Sequence, residues 1–251
     1  MSSTSDQDIR ALVHDKYNGD TTADISADVG RLAAGEPLAY VIGWIPFLGL
    51  AIHLDSRPLI PRPETESWAE TRVEKLQKRF GDRPFTLLDL CAGSGAIGLL
   101  VLARFPNTKV SFGELELPHI DLIKKNIEAN GLDPSRAIIR RGNLLAPFVG
   151  ERCDFIVTNP PYIPSGRTLD DTVLDYEPTI ALFAGERGLD LIERIAREAP
   201  RHLNASGELW MECDIDNIEE ARNLVLEGGA IRADIRTDQY GRPRTLVGYY
   251  A

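Results

Sequence analysis

The sequence has few cysteines and no long apolar segment. Its three cysteines, Cys91, Cys153 and Cys213, are far apart and form no Cys-x-x-Cys pair. This excludes a disulfide framework and a zinc site built from neighbouring cysteines, and a reducing compartment is expected. No stretch approaches the roughly 18 consecutive apolar residues of a membrane helix, and the N-terminal MSSTSDQDIR lacks a secretory pattern. We therefore expect a cytoplasmic protein without a membrane partner.

Basic residues are also in short supply. The 251 residues include 28 Lys and Arg against 38 Asp and Glu, a net charge of −10. Proteins that bind phosphate backbones usually show the opposite balance, because their cations replace counterions. We expect no stable nucleic-acid binding, although composition does not exclude a local basic groove. The four histidines, which show no metal-ligand spacing and predict no metal site, are His14, His53, His119 and His202.

The first 60 residues differ in pattern from the rest. Apolar spacing over residues 5–34 predicts two short amphipathic helices, broken near residues 18–20. Residues 38–54 are apolar and β-rich, which predicts a hairpin with a turn or bulge near Ile45-Pro46. In the following LIPRPETE segment, Pro63 opens a predicted helix that continues to about Phe80. We interpret residues 1–60 as a small helical and hairpin region and residues 61–251 as the main domain.

From Phe85 onward, predicted strands alternate with helices. The strands are expected at 85–90, 109–115, 137–140, 153–158, 207–213, 230–237 and 244–250, and the helices at 96–104, 118–130, 186–199 and 215–227. This alternation predicts an α/β fold with a doubly wound, mostly parallel sheet. The last two strands have no helix between them, which predicts an antiparallel hairpin at one edge.

A glycine-rich turn, DLCAGSGA (89–96), joins the strand at 85–90 to the next helix. Its glycines let the backbone approach a ligand, although a tight turn without a ligand is an equal alternative for this motif alone. Glu114 ends the next strand, 25 residues after Asp89, where an acidic residue can accept ribose hydroxyl hydrogen bonds. Because a second phosphate loop and a Walker lysine are missing, S-adenosylmethionine fits better than NAD.

The motif Asn159-Pro160-Pro161-Tyr162 follows directly on the strand at 153–158. The carboxyl ends of such strands bind ligands in open α/β sheets. The prolines leave nearby carbonyls free as acceptors, Asn159 adds a side-chain oxygen, and Tyr162 offers a flat face. Together they can hold a planar NH2 group by both hydrogens and direct its nitrogen at a methyl donor. A rigid surface turn is the alternative, and the other two signals favour catalysis.

With these motifs the chain resembles the HemK/PrmC family of protein glutamine N-methyltransferases. The matching segments are GEPLAYVIGW (35–44), LIPRPETE (59–66), DLCAGSGAIG (89–98), NPPYI (159–163), EPTIAL (177–182), GLD (188–190) and DQYGRPRTLVG (238–248). The resemblance implies a Rossmann-like class I methyltransferase with a seven-stranded sheet. It further implies S-adenosylmethionine as cofactor and, as partner, a peptide chain release factor whose Gly-Gly-Gln glutamine is methylated. Residues 1–60 would then recognise the substrate, and residues 61–251 would form the catalytic domain.

By position, the resemblance also implies the residues of the site. The expected cofactor-binding residues are Asp89, Cys91, Ala92, Gly93, Ser94, Gly95, Glu114, Asn143, Leu144 and Asn159. The expected catalytic residues are Asn159, Pro160, Pro161 and Tyr162. The candidate substrate residues are Arg62, Pro63, Glu64 and Glu177. An ion-pair cluster at a helix start is an equal alternative for Arg62 and Glu64, and Glu177 is also a candidate loop anchor.

The sequence departs from the family pattern at several points. Cys91 stands where glycine is usual, Asn143 where aspartate is common, and Ala184 and Arg187 interrupt the run before GLD. Only 34 residues precede GEPL, about half of the family's usual length, and the family uses this region to engage its partner. Other acceptors therefore stay open: a ribosomal-protein glutamine, a small-molecule amide or amine, or a nucleic-acid amine. A binding module without catalysis is a further alternative.

Overall fold

A computed structural model describes residues 5–251 of the chain. The N-terminal part comprises α1 (Asp6–Lys16), α2 (Ser26–Ala33), α3 (Leu38–Ile42), β1 (Trp44–Phe47), β2 (Leu50–His53) and α4 (Pro63–Phe80). The two predicted N-terminal helices are confirmed, and so is the helix that Pro63 opens. No helix within the described range has the length and apolarity needed to cross a bilayer.

The predicted position of the hairpin turn is wrong. Residues 38–42 form α3, and the β1–β2 turn lies at Leu48-Gly49, where both residues have positive φ (49° and 92°). Two central residues with positive φ give a two-residue turn whose backbone twist matches that of the flanking strands. Pro46 stays within β1, opposite Ala51. Proline is tolerated there because the carbonyl of Ala51, which would otherwise need an N–H donor, accepts from Asn130 Nδ2 (2.9 Å) rather than from residue 46.

The remaining elements are the strands of one sheet and the helices that connect them. They are β3 (Thr86–Leu90), α5 (Ala96–Arg104), β4 (Lys109–Glu114), α6 (Leu117–Ala129), β5 (Ala137–Arg141), β6 (Cys153–Thr158), α7 (Asp171–Tyr176), α8 (Asp190–Glu198), β7 (Leu203–Glu212), α9 (Ile218–Glu227), β8 (Arg232–Thr237) and β9 (Pro243–Tyr249). The strand order is β5-β4-β3-β6-β7-β9-β8. The first five strands in this order run parallel, and β9 is antiparallel to both of its neighbours. The predicted seven-stranded sheet with an antiparallel edge hairpin is confirmed.

Hydrophobic residues cover both faces of this sheet. Phe155 of β6 points to the face that carries α4, α5 and α6, whereas Ile156 points to the face that carries α8 and α9. This alternation is what a doubly wound sheet requires, because each strand must bury both faces. The crossovers place the loops that follow β3, β4 and β6 together at one edge.

The β1–β2 hairpin shares the core of the main domain. Phe47 and Ile52 belong to the same buried cluster as Trp68 of α4 and Leu99 of α5. Helices α1 to α3 instead bury a small cluster of their own, formed by Leu12, Leu32 and Val41. The N–H of His53 donates to Asn126 Oδ1 of α6 (2.8 Å), so the hairpin also helps to fix α6 beside the sheet. The domain boundary near residue 60 stays a prediction.

Candidate active site

A cleft of about 410 Å³ lies at the carboxyl ends of β3, β4 and β6. Its volume falls within the range of about 300–1,000 Å³ that small-molecule sites occupy. The predicted site residues that line it are Cys91, Ala92, Gly93, Ser94, Glu114, Asn143, Leu144, Asn159 and Pro161. The structure thus gathers residues from four separate loops around one space. The other predicted residues do not line the cleft; they are Arg62, Pro63, Glu64, Asp89, Gly95, Pro160, Tyr162 and Glu177.

Glu114 and the glycine-rich turn hold each other in place. The Gly93 N–H donates to Glu114 Oε2 (2.7 Å), and the N–H groups of Leu115 and Glu116 donate to Oε1 (2.7 and 2.9 Å). Gly95 has φ +81°, and a Cβ there would lie 2.6 Å from Leu99 Cδ1. Three backbone donors therefore fix a carboxylate at one end of the cleft, and Oε2, which accepts only one of these hydrogen bonds, retains a lone pair for a ligand hydroxyl.

Asp89 lies beneath the turn rather than in the cleft. It is 1% exposed, and its Oδ2 accepts from the Gly98 N–H (2.8 Å). Burial, with a smaller contribution from the Glu114 charge, raises the pKa of Asp89 to about 8. The carboxyl group ties the start of α5 to the end of β3. Asp89 does not line the cleft, and its assignment to the cofactor-binding residues stays a prediction.

Cys91 occupies a position that favours glycine. Its φ is +57°, in the left-handed region, and its side chain lines the cleft. Burial, followed by the charge of Glu114, raises the pKa of the thiol to about 12. Cys91 is therefore a protonated thiol at neutral pH and not a nucleophile.

Asn159 lies where β6 ends, and only the nitrogen of its side-chain amide is hydrogen bonded. Nδ2 donates to Thr65 Oγ1 (3.2 Å) from α4. Oδ1 is buried and accepts no hydrogen bond from any residue between 5 and 251. Buried polar atoms in proteins are nearly always paired, so an orphaned acceptor in a cleft marks a place for a ligand donor.

Tyr162 is fixed at both its backbone and its hydroxyl group. The hydroxyl donates to Glu212 Oε1 (3.0 Å) and accepts from Arg244 Nη2 (2.9 Å). Burial first, and then the charge of Glu212, raises the pKa of Tyr162 well above its ordinary value. The Tyr162 carbonyl accepts from Asn217 Nδ2 (3.1 Å), and it lies so close to Gly188 that a Cβ there would be 2.1 Å away. The predicted motif is thus immobilised behind Asn159.

The candidate substrate residues lie outside the cleft lining. Glu177 Oε1 accepts from Arg62 Nη2 (2.5 Å), and its Oε2 accepts from the Ile60 N–H (3.1 Å). Glu64 pairs with Arg242 (2.7 Å), and Pro63 is the first residue of α4. The Arg62–Glu177 pair therefore joins two walls of the cleft: the segment that contributes Leu59 and Pro61 and the segment that contributes Ile180 and Phe183.

Sequence reasoning did not identify several lining residues. They are Thr65, Glu116, His119, Ile180 and Phe183. Thr65 lies within the LIPRPETE segment, which was a usable signal. His119 is held by Ser56 (Nδ1–Oγ 2.7 Å), and burial lowers its pKa, so the ring is neutral at physiological pH. Over residues 5–251, no group of three or more His, Cys, Asp or Glu side chains is arranged to hold a metal ion.

Comparison with known proteins supports the fold. The family model described as "Methyltransferase small domain" matches residues 69–175. A methyltransferase from Pyrococcus furiosus superposes with a TM-score of 0.58 at 19% identity, covering 89% of this chain and 98% of that one. A Thermus thermophilus 16S rRNA methyltransferase, solved with AdoMet and guanosine, gives a TM-score of 0.57 at 20% identity, covering 83% and 50%. These likenesses show the class I methyltransferase fold.

Comparison with sequence relatives defines the family more narrowly than the fold does. A release factor glutamine methyltransferase from Xylella fastidiosa is 35% identical over 228 residues, which cover 90% of this chain and 81% of the relative. Proteins of the same name from Bacillus cereus (33%; 76% and 68% covered) and Chlorobaculum tepidum (35%; 82% and 71% covered) match similarly. The chain belongs to the release factor glutamine methyltransferase family.

Proposed function

We propose that this protein transfers a methyl group from S-adenosylmethionine to the side-chain amide nitrogen of the Gly-Gly-Gln glutamine in a peptide chain release factor. The observation that carries the proposal is Asn159 Oδ1, a buried acceptor that lacks a partner among the described residues and belongs to a cleft-lining side chain. A primary amide brings two N–H donors. We also propose a cytoplasmic location, because release factors act on ribosomes there.

The chemistry of an amide nitrogen explains why such acceptors matter. Its lone pair is delocalised into the carbonyl, so it is a poor nucleophile. Acceptors that engage both N–H bonds raise the electron density on nitrogen and fix its direction. Asn159 supplies one acceptor, and the backbone carbonyls beside Pro160 supply the second, since the two prolines carry no N–H that would compete. We assign Asn159, Pro160, Pro161 and Tyr162 to this task.

The cleft fits S-adenosylmethionine in volume and chemistry. Glu114, fixed by three backbone N–H groups, suits the ribose hydroxyls, and the turn at residues 91–95 lies beside it. Asn143 and Leu144 line the same cleft and would contact the adenine. When bound, the cofactor supplies an electrophilic methyl group on a positively charged sulfonium.

Apolar side chains form much of the cleft lining. They include Leu59, Pro61, Ile180 and Phe183. Apolar surface beside the reacting atoms lowers the local dielectric and strengthens the hydrogen bonds that Asn159 makes. Ile180 is about half exposed, so its outer surface is available to a protein that inserts a glutamine side chain.

The proposal is tested with methyl-labelled S-adenosylmethionine. The protein is incubated with a release-factor domain and, separately, with the same domain in which the Gly-Gly-Gln glutamine is changed to alanine, which has no side-chain amide. We expect label on the first domain only. Label on neither domain, with transfer to a ribosomal protein, a small amide or an oligonucleotide in parallel reactions, would replace the release factor by that acceptor. Label on both would place the modification at another residue.

A further inference from the structure

We infer that Thr65 and Glu212 orient the Asn159 carboxamide, so that its oxygen rather than its NH2 group faces the acceptor amide. Both are positioning residues, because they act through Asn159. The inference rests on the proposed function for its kinetic test, and a second test does not depend on activity. It arises from a chain of hydrogen bonds that joins the three side chains across 147 residues of sequence.

Glu212 is the end of this series of hydrogen bonds at which the direction of donation is determined. It ends β7, is fully buried, and receives hydrogen bonds from Thr65 Oγ1 (2.6 Å) and Trp68 Nε1 (2.8 Å) at Oε2. At Oε1 it receives one from the Tyr162 hydroxyl (3.0 Å), and Arg244 Nη2 lies 3.3 Å away. The Trp68 indole and the Arg244 guanidinium can only donate, the Tyr162 hydroxyl accepts from Arg244 and so gives its hydrogen to Glu212, and a carboxylate paired with arginine accepts from the Thr65 hydroxyl. The direction of each hydrogen bond to Glu212 is therefore fixed.

The direction of the hydrogen bond between Thr65 and Glu212 determines the direction of the one between Thr65 and Asn159. A hydroxyl group carries one hydrogen, and Thr65 gives it to Glu212. Toward Asn159, 3.2 Å away, the Thr65 oxygen can then only accept. Asn159 must present its NH2 group to Thr65, and its Oδ1 must face the other way. The two ends of an asparagine amide have nearly the same shape, so packing alone would not select this orientation.

The reversed amide is unfavourable at both ends. It would place Oδ1 against the Thr65 oxygen, so that two acceptors face each other in a buried site. It would also present an NH2 group to the NH2 group of the incoming amide, so that two donors face each other. Each mismatch leaves a buried polar group unsatisfied, at a cost of about 1–3 kcal/mol. Thr65 and Glu212 thus convert Asn159 into a defined acceptor before the substrate arrives.

Thr65→Val tests the inference, because valine keeps the shape and removes the hydroxyl group. We expect kcat for release-factor methylation to fall about 10- to 100-fold, as when a supporting hydrogen-bond partner is lost. Cofactor affinity should change little, and the free energy of unfolding should fall by about 1–3 kcal/mol because buried Glu212 and the Asn159 NH2 group each lose a partner. Thr65→Ser should restore most of kcat and of the stability. The matched control is Thr71→Val on the same helix, since the exposed Thr71 hydroxyl bonds only to the Ser67 carbonyl. It should leave kcat unchanged.

A double-mutant cycle separates positioning from general stabilisation. In the Asn159→Ala background, Thr65→Val should lower kcat less than about twofold further, because no amide remains to orient. Equal fold-losses in both backgrounds, or wild-type kcat in Thr65→Val, would overturn the inference while leaving the proposed function intact.

The orientation can also be read without any turnover. In NMR spectra of the wild-type protein, the Asn159 NH2 protons should show cross-relaxation to the Thr65 methyl group and slow exchange with solvent. In Thr65→Val the exchange should accelerate at least about tenfold. Rapid exchange already in the wild type would refute the inference, even if the release factor proved not to be the acceptor.

Discussion

The Arg62 guanidinium and the Glu177 carboxylate form an ion pair, 2.5 Å from Nη2 to Oε1, that joins the two walls of the cleft across 115 residues of sequence. The two partners are unequally exposed: the Glu177 side chain is 2% exposed and the Arg62 side chain 30%. Glu177 also accepts from the Ile60 N–H. Loss of one partner therefore has a different consequence from loss of the other.

Arg62→Ala should destabilise the protein more than Glu177→Gln. Removal of arginine leaves a buried charge with a single N–H donor, which costs about 3 kcal/mol. Glutamine at position 177 keeps an oxygen for Ile60 and leaves an arginine that can reach water, at about 1 kcal/mol. Urea unfolding measures both. The exposed Lys124–Asp121 pair is the control, and Lys124→Ala should cost under about 0.5 kcal/mol. Equal losses for Arg62→Ala and Glu177→Gln would contradict this reading of the pair.

Asn159→Ala should separate catalysis from cofactor binding. The variant lacks the acceptor that aligns the amide nitrogen, and removal of one oriented polar group from such a site typically lowers kcat about 10²- to 10³-fold. Glu114 and the glycine turn remain, so S-adenosylhomocysteine binding measured by calorimetry should weaken less than about threefold. Wild-type turnover in Asn159→Ala would remove this residue from the mechanism.

Glu114→Gln should weaken cofactor binding. Three backbone N–H groups converge on Glu114, and the NH2 end of a glutamine cannot accept from any of them. Either orientation of the new amide leaves at least one buried N–H unpaired and loosens the glycine turn. We expect the Kd for S-adenosylhomocysteine to rise at least about tenfold, which corresponds to about 1.4 kcal/mol. Glu128→Gln, on the exposed face of α6, should bind as the wild type does.

The strands of the main domain were predictable because buried parallel strands are short apolar runs bounded by turn residues. Helix α4 was equally clear, since Pro63 marks its first residue and Gly81 follows its last. The hairpin turn was not predictable. A distant side chain, Asn130, takes the backbone groups of Ala51 and thereby frees Pro46 to remain in a strand. This tertiary contact leaves no mark on the local pattern.

The site residues were also predictable only in part. Contiguous motifs placed Glu114, Asn159 and the glycine turn, because each follows a recognisable strand. No local pattern connects Thr65 with Glu212, which lie 147 residues apart and meet only when α4 packs over β7. Helix α7 was also missed. Its last residue, Tyr176, is held by a hydrogen bond to the Ala34 carbonyl (2.9 Å) rather than by local apolar periodicity.

The three cysteines should resist alkylation in the folded protein. Burial raises the pKa of Cys91 and Cys153 to about 12 and raises that of Cys213 as well. From an ordinary value near 9, a shift to 12 lowers the thiolate population at pH 8 roughly a thousandfold. Iodoacetamide at pH 8, followed by mass spectrometry, should label all three cysteines in urea and none in the native state. Rapid native labelling at Cys91 would show a reactive thiol in the cleft.

Asp89→Asn should stabilise the protein more at pH 8 than at pH 5. The folded-state pKa of Asp89 is about 8, against an ordinary value of 3.8. Between these values the folded protein keeps a proton that the unfolded chain releases, so stability falls as pH rises through this window. Asparagine cannot ionise and still offers an oxygen to the Gly98 N–H. The free energy of unfolding of the variant, relative to wild type, should therefore increase by about 3 kcal/mol from pH 5 to pH 8.

Urea unfolding at the two pH values measures this difference, and taking variant against wild type cancels the titrating groups that do not interact with Asp89. Asp133 supplies the control, since it is exposed and hydrogen bonds from Ser135 lower its pKa. Because Asp133 is ionised in both the folded and unfolded states above pH 5, the effect of Asp133→Asn should be the same at both pH values. An effect of Asp89→Asn that is likewise independent of pH would mean that Asp89 is already ionised in the folded protein, and that the turn beneath the cofactor site holds a buried charge.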